Sequence, residues 1–224
     1  MQTLSAMLNA APWARALAPV DLARVEAETI TRACPAGALV CRKGEAVEAW
    51  IGVIDGLVKM VNVSADGKPT SYVGVGSGGW FGEGSLLKDE PRRYDIVAMR
   101  DSAVAYMPRA TFAWLLDTSM PFNRFIITQL NERLGQFIGM VEHDRLLGPE
   151  ARVAHCVAAM FNPVLYPGVR PSLPFSQEEI AHLAGLSRQR ANQALHRLEQ
   201  ADLLRIDYGG ITVRDLAGLR QYRD

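Results

Sequence analysis

The chain has 224 residues, 49% of them hydrophobic, which suits one or two globular domains with buried cores. Basic and acidic side chains both number 24, so the formal net charge of zero does not by itself mark a nucleic-acid binder. Three cysteines, Cys34, Cys41 and Cys156, exclude a disulfide framework. No apolar run approaches the roughly 20 residues of a membrane span. The N-terminus lacks the basic start and apolar block of a signal peptide, so a cytoplasmic protein with no membrane partner is expected.

Residues 1–30 read as helical, with Pro19 near a helix start. From Cys34 to Met107 the texture changes to short alternating or β-branched runs: Ala38–Cys41, Trp50–Ile54, Leu57–Val63, Thr70–Val75 and Ala103–Met107. Asp55-Gly56 and Asp66-Gly67 favour tight hairpin turns, because glycine tolerates positive φ. Closely spaced strands with such turns predict a small antiparallel barrel or jelly roll.

From Pro121 the period lengthens. Ile127, Leu130, Leu134, Phe137 and Val141 follow at intervals of 3, 4, 3 and 4, a coiled-coil seam on one helix over residues 121–147. A helix packed only on its own barrel is the alternative. Phe122, Ile126 and Ile138 form a second stripe suited to meet the barrel while the first meets a partner copy. Gly135 and Gly139 each cost roughly 1 kcal/mol in a helix and make sense where another backbone approaches. Gly148-Pro149 breaks the helix and sets a hinge, followed by a short apolar helix over 150–161 and a proline-rich loop over 162–175.

Ser176-Gln177-Glu178-Glu179 carries a capping box: the serine accepts from the third helical N–H and Glu179 reaches back. Gly185-Leu186 makes a turn, and Ser187 caps a second helix running to about Gln200. On a 100° wheel Ala191, Ala194, Leu195 and Leu198 form one face. Gln189, Asn192, Gln193, His196 and Arg197 form the other, with Arg188 at its edge. Arg188, Arg190 and Arg197 make that segment locally basic, with no acid between Ser187 and Leu198. Such a face suits base edges and phosphates. Leu203–Ile206, Asp207-Tyr208-Gly209-Gly210 and Ile211–Val213 read as a hairpin, the wing.

With SQEEIAHLAGLSRQRANQALHRLEQADLL as its helix-turn-helix, and GEAVEAWIGVIDGLVKMV and GGWFGEGSLL as its roll, the chain resembles the Crp/Fnr superfamily of transcription regulators. The resemblance implies an α+β fold in three parts. These are a sensory β-roll with an N-terminal helix over 1–120, a dimerisation helix over 121–147 and a winged helix-turn-helix over 148–224. It implies a cytoplasmic homodimer on a palindromic double-stranded DNA site, with half-sites about 34 Å apart. By position Arg188, Gln189 and Gln193 match base-reading residues, and Ser176, Gln177 and Ser187 match backbone contacts. Many relatives carry arginine where this chain has Gln193, so the half-site sequence does not carry over. The loop at 162–175 resembles a surface that some relatives use to touch RNA polymerase; a plain surface loop is the alternative.

In cyclic-nucleotide-binding relatives a Gly-Glu pair precedes an Arg-Ser or Arg-Thr pair by about ten residues. Here Gly82-Glu83 precedes Arg92-Arg93-Tyr94; either arginine matches, and the small hydroxyl is missing. The positions that hold Thr-Ser against adenine in relatives are Phe137 and Ile138, which argues against cyclic AMP while leaving another anionic effector open. The competing reading makes Glu83 and Arg92 or Arg93 a structural ion pair, in an effector-independent regulator. An iron–sulfur cluster needs about four cysteines. A haem needs a ligand near the roll, whereas His143, His155, His182 and His196 all lie on the long helix or beyond. Neither cofactor is expected. Glu83, Asp89 and Glu90 read as an acidic loop, and no GxSxG, P-loop or HExxH pattern supports an enzyme or a metal site. The other rival, a cyclic-nucleotide-binding module of a kinase or channel, shares the roll but lacks residues 176–213.

Overall fold

The computed structural model describes residues 2–63 and 69–223, with side chains described at all of these except 63, 69–72 and 143–146. The Asp66-Gly67 turn and the His143 side chain therefore lie outside the described residues. The chain divides into two compact units, Met1–Arg133 with Pro163–Gly168, and Leu134–Asn162 with Val169–Asp224. Among the described residues no helix is long and apolar enough to cross a membrane.

The helical start is two helices, α1 (Leu4–Ala10), capped by the Thr3 hydroxyl, and α2 (Pro19–Glu28) with proline in its first turn. A 3-10 turn, Ala14–Ala16, separates them. The roll follows as β1 (Ile30–Cys34), β2 (Leu39–Cys41), β3 (Ala49–Asp55), β4 (Leu57–Val63), β5 (Pro69–Gly76), β6 (Trp80–Phe81), α3 (Glu83–Lys88), β7 (Asp95–Ala98) and β8 (Ser102–Pro108). α4 (Arg109–Thr118) leads into the long α5 (Met120–Leu146). Two four-stranded antiparallel sheets form, in the orders β1-β8-β3-β6 and β2-β7-β4-β5.

Asp55-Gly56 is not a hairpin turn. β3 and β4 belong to different sheets, and the chain passes from one to the other at Gly56, whose N–H donates to Ser77 Oγ at 3.2 Å. Nor is Glu83–Lys88 an acidic loop; it is a helical turn and a half.

β3 is buried on both faces. With a side-chain period of two, Trp50 and Ile54 point into the core shared with the helices, and Ile51 and Val53 are buried on the opposite face. The helix-side core is aromatic. Trp50 stacks on Trp80 with centroids 4.4 Å apart and planes at 27°, and Trp13 meets Trp80 and Phe122 edge-on at 5.6 and 5.4 Å. Both arrangements suit the ring quadrupoles. Gly52, paired with Trp80 across the strands, makes the slot: a Cβ there would stand 2.8 Å from the indole.

α5 enters this core through Phe122 and Ile126. The inward stripe then continues through Gln129 and Arg133, both buried, and not through Ile138, which is exposed. The second stripe thus departs from expectation: its third member is polar, because α5 ends its packing on the roll at an arginine. The seam residues Ile127, Leu134 and Val141 are 60%, 58% and 49% exposed, and Leu130 is also exposed. Phe137 is half-buried. A Cβ on Gly135 would meet nothing within 4 Å in the chain.

In the other unit, α6 (Pro149–Ala159) starts on Pro149 and buries Ala151, Val153, Ala154 and Val157. It packs with α7 (Gln177–Ala184) and α8 (Arg188–Gln200). A three-stranded sheet in the order β10-β11-β9 adds β9 (Ser172–Leu173) to the hairpin of β10 (Leu204–Asp207) and β11 (Gly210–Val213). α9 (Leu216–Gln221) closes the unit, capped by Asp215, whose carboxylate accepts from Gly218 N at 2.8 Å.

Phe122, at the start of α5, meets Trp13 and Trp50 edge-on at 5.4 and 5.6 Å. Phe122→Ala is expected to cost about 3–5 kcal/mol in chemical denaturation of the roll, followed by tryptophan fluorescence.

Candidate DNA interface and effector cradle

The helix-turn-helix is built by local rules. Ser176 Oγ accepts from Glu179 N at 3.2 Å, and Glu179 Oε2 accepts from Ser176 N at 2.6 Å, so the capping box of α7 is closed on both sides. α7 ends on Gly185 at φ +64°, where a Cβ would also crowd the Arg152 guanidinium at 2.9 Å. Ser187 Oγ then accepts from Arg190 N at 3.3 Å and starts α8. Ala191, Ala194, Leu195 and Leu198 are fully buried, the core face read from the wheel.

The opposite face presents the residues expected to read DNA. Arg188, Gln189, Arg190 and Gln193 are exposed, and Arg188 and Arg190 have no acidic partner among the described residues. Two other site residues are engaged. Arg197 is ion-paired with Glu150 of α6, and the Gln177 side-chain carbonyl accepts from Asn192 Nδ2 at 2.5 Å. The last contact joins the first turn of α7 to the outer face of α8. The hairpin is fastened to the same helix, because Ile206 N donates to Glu199 Oε1 at 2.7 Å. Its tip residue, Tyr208, is fully exposed. Asp207 beside it accepts from Thr212 and Arg205, which hold its carboxyl below the usual range.

Sequence reasoning missed Arg152. Its Nη2 donates to the Ala184 and Gly185 carbonyls at 2.9 and 3.4 Å, placing a cation at the negative end of α7. Lying in the preceding helix, it left no trace in the helix-turn-helix pattern.

In the roll, three expected effector residues meet. Gly82 turns the chain from β6 into α3 at φ +93°, and a Cβ there would stand 3.1 Å from Arg92 Nη1. Arg92 is buried, its Nη2 donating to the Ala49 carbonyl at 3.1 Å. Arg93 is exposed and bound to Glu90 at 2.8 and 2.9 Å, so it stands apart from Gly82 and Glu83. Phe137 and Ile138 lie further along α5, in the other unit.

Glu83 is buried, but its ion-pair partner is neither Arg92 nor Arg93. Its carboxylate faces Arg133 of α5 at 3.4 Å and accepts from Trp50 Nε1 at 3.4 Å. Arg133 also donates from Nη2 to the Trp80 carbonyl at 2.9 Å, while its buried Nη1 has no acceptor among the described residues. Burial works against the Arg133 charge, yet Glu83, with the Tyr166 and Tyr94 phenols nearby, holds its pKa above the ordinary value. Burial, reinforced by Glu83, pushes the Tyr94 phenol up to about 12. Arg133 was passed over in the sequence because it adjoins the seam residue Leu134. The signal was a lone cation on the stripe begun by Phe122 and Ile126.

Two buried arginines, one with an orphaned N–H, and one carboxylate suit an anionic ligand that also carries hydroxyls. Cys41 lies close enough to Arg92 and Tyr94 to interact electrostatically with both. Burial pushes the Cys41 and Cys156 thiols up to about 11 and 12.

Residues 31–119 match the family model of the cyclic nucleotide-binding domain, and residues 151–222 that of the Crp-like helix-turn-helix domain. The chain is similar to the cyclic AMP receptor protein of Thermus thermophilus, 27% identical over 214 residues, 96% of this chain and 97% of that one. Among solved structures it is similar to FixK2 of Bradyrhizobium japonicum, with a TM-score of 0.71 at 18% identity, covering 88% of this chain and 98% of that one. It is also similar to the c-di-GMP-responsive global regulator CLP of Xanthomonas campestris, with a TM-score of 0.61 at 22% identity, covering 88% and 99%. At these identities the two structures show the shared fold. The α+β roll, the long helix and the winged helix-turn-helix, matched in both halves, identify the chain as a member of the Crp/Fnr family, non-enzymatic transcription regulators that bind DNA.

Proposed function

We propose that two copies of this chain pair along α5 and set their α8 helices into successive major grooves of a palindromic operator. The observation that carries this reading is the run of exposed seam residues, Ile127, Leu130, Leu134 and Val141, on a helix whose other side is already packed. An isolated protomer leaves that stripe in water, and a symmetric partner buries it against an identical surface. Gly135, open in the single chain, sits on the same stretch of helix. Phe137 extends the seam by spacing.

In this reading Arg188, Gln189 and Gln193 contact base edges. Ser176, Gln177, Ser187, Arg190 and Arg197 position the protein on phosphates, Gln177 and Arg197 exchanging their present partners for the DNA backbone. The sensory role falls to residues 1–120, pairing to 121–147 and DNA reading to 148–224, with the hinge at Gly148-Pro149. Control comes from an anionic effector held at Gly82, Glu83 and Arg92, with Arg133 beside them; Arg93, tied to Glu90, is left out. Because Phe137 and Ile138 offer no hydrogen bond to a base, the effector differs from cyclic AMP. RNA polymerase contact is assigned to the exposed residues Arg170, Pro171 and Ser172. The protein acts in the cytoplasm.

With the operator selected from random DNA, Arg188→Ala is expected to lose about 1–3 kcal/mol of binding and to relax preference at one base pair. Unchanged affinity and selectivity in fluorescence anisotropy rule out that contact. Leu134→Glu places a charge in the seam, so sedimentation is expected to show monomers and operator binding to fall with dimerisation. Glu83→Gln strands the buried Arg133 charge and is expected to cost the roll about 3–5 kcal/mol in denaturant unfolding.

A further inference from the structure

We propose that the segment Pro163–Gly168 is an internal occupant of the effector cradle, holding Tyr166 beside Arg133 until an anionic ligand displaces it. The inference rests on the reading that the cradle binds an anion.

In sequence the segment lies between α6 and β9, inside the stretch that matches the helix-turn-helix model. In space it belongs to the unit that contains the roll. The proline-rich loop is therefore not a plain surface loop throughout: Leu165 is 1% exposed and Tyr166 2%. Burying two large side chains of a connecting loop needs a dock, and the dock is the Gly76–Gly79 turn between β5 and β6. A Cβ on Gly79 would stand 3.0 Å from the Leu165 carbonyl oxygen, and one on Gly78 3.1 Å from Gly168 N. From the other side, a Cβ on Gly168 would stand 3.0 Å from the Ser77 carbonyl oxygen. Backbone lies against backbone here because three glycines leave room.

The dock runs straight into the cradle. The residue after Gly79 is Trp80, whose carbonyl accepts from Arg133 Nη2 at 2.9 Å, and two residues further on are Gly82 and Glu83. Tyr166 is close enough to Arg133 to interact with its charge. Arg133 keeps a buried Nη1 without an acceptor among the described residues. A neutral phenol is a weaker partner for a guanidinium than a phosphate oxygen, which brings a full charge and several acceptor sites. Strap and anion therefore compete for one guanidinium. A strap docked in about nine molecules of ten weakens apparent ligand affinity about tenfold, by the fraction of competent protein. Ligand capture in turn frees a segment covalently joined to α6 and β9 of the DNA-binding half.

The test is calorimetric titration of the full chain with cyclic GMP and with cyclic di-GMP, on wild type, Tyr166→Ala and Gly168→Ala, whose added methyl would press on the Ser77 carbonyl and loosen the strap from its dock. Both variants are expected to bind one of the nucleotides about tenfold more tightly than wild type, a gain that a folding defect would not give. Tyr166→Phe, which keeps the ring and removes the hydroxyl, carries the same comparison if the alanine variant does not fold. Equal affinities in all variants overturn the strap and leave the effector reading standing. No binding to any protein, the strap variants included, overturns both.

Discussion

A carboxylate and a guanidinium buried together tie the long helix to the sensor. Removing both ions from water costs several kcal/mol each, and their attraction offsets this only when the remaining hydrogen-bonding positions are filled. Glu83 is served by Trp50 and Arg133 by the Trp80 carbonyl, so the pair sits where the stacked tryptophans already fix the strands. One consequence is positional. β6, α3 and α5 are held to one another through these contacts, so under the proposed reading a charge bound at the cradle meets the group that anchors α5. Another is chemical: with one N–H unsatisfied, Arg133 is stable enough to be buried and still has capacity for an oxygen acceptor.

The DNA-binding unit solves a different problem, that of aiming a helix without relying on DNA to order it. Three fastenings do this. Arg152 closes the end of α7, the Gln177–Asn192 bond joins α7 to α8, and Glu199 joins α8 to the wing backbone. Each crosses between elements, so the exposed row of Arg188, Gln189 and Gln193 is presented by a preorganised frame. Under the proposed reading, specificity rests on which side chains stand in that row.

The elements most legible in the sequence were those whose signals are local. The capping box at Ser176, the left-handed glycine at 185 and the 3.6-residue period of α8 each depend on neighbours within a few positions. The two-residue turn at Tyr208-Gly209 is of the same kind. β6, only two residues long, and β9, also two, exist because distant strands pair with them, and no periodicity can be read from two residues. α3 was missed because Gly82 starts it with no side-chain cap and Asp89 ends it in a left-handed turn that resembles a loop. In the cradle, Gly82 and Glu83 were legible as a motif. The choice between Arg92 and Arg93 was not, because it depends on which guanidinium turns inward to Ala49. Arg133 comes from 50 residues further along the chain than Glu83, a pairing that only the tertiary fold reveals.

The packing around two of the thiols also bears on their reactivity. A group of pKa about 11 is ionised in only about one molecule in ten thousand at pH 7, and the thiolate is the form that oxidants and electrophiles attack. Cys41 in the sensor and Cys156 in the DNA-binding half are thus kept chemically quiet by the same packing that stabilises each unit. At those two sulfurs the protein thus disfavours the ionised form on which thiol chemistry depends.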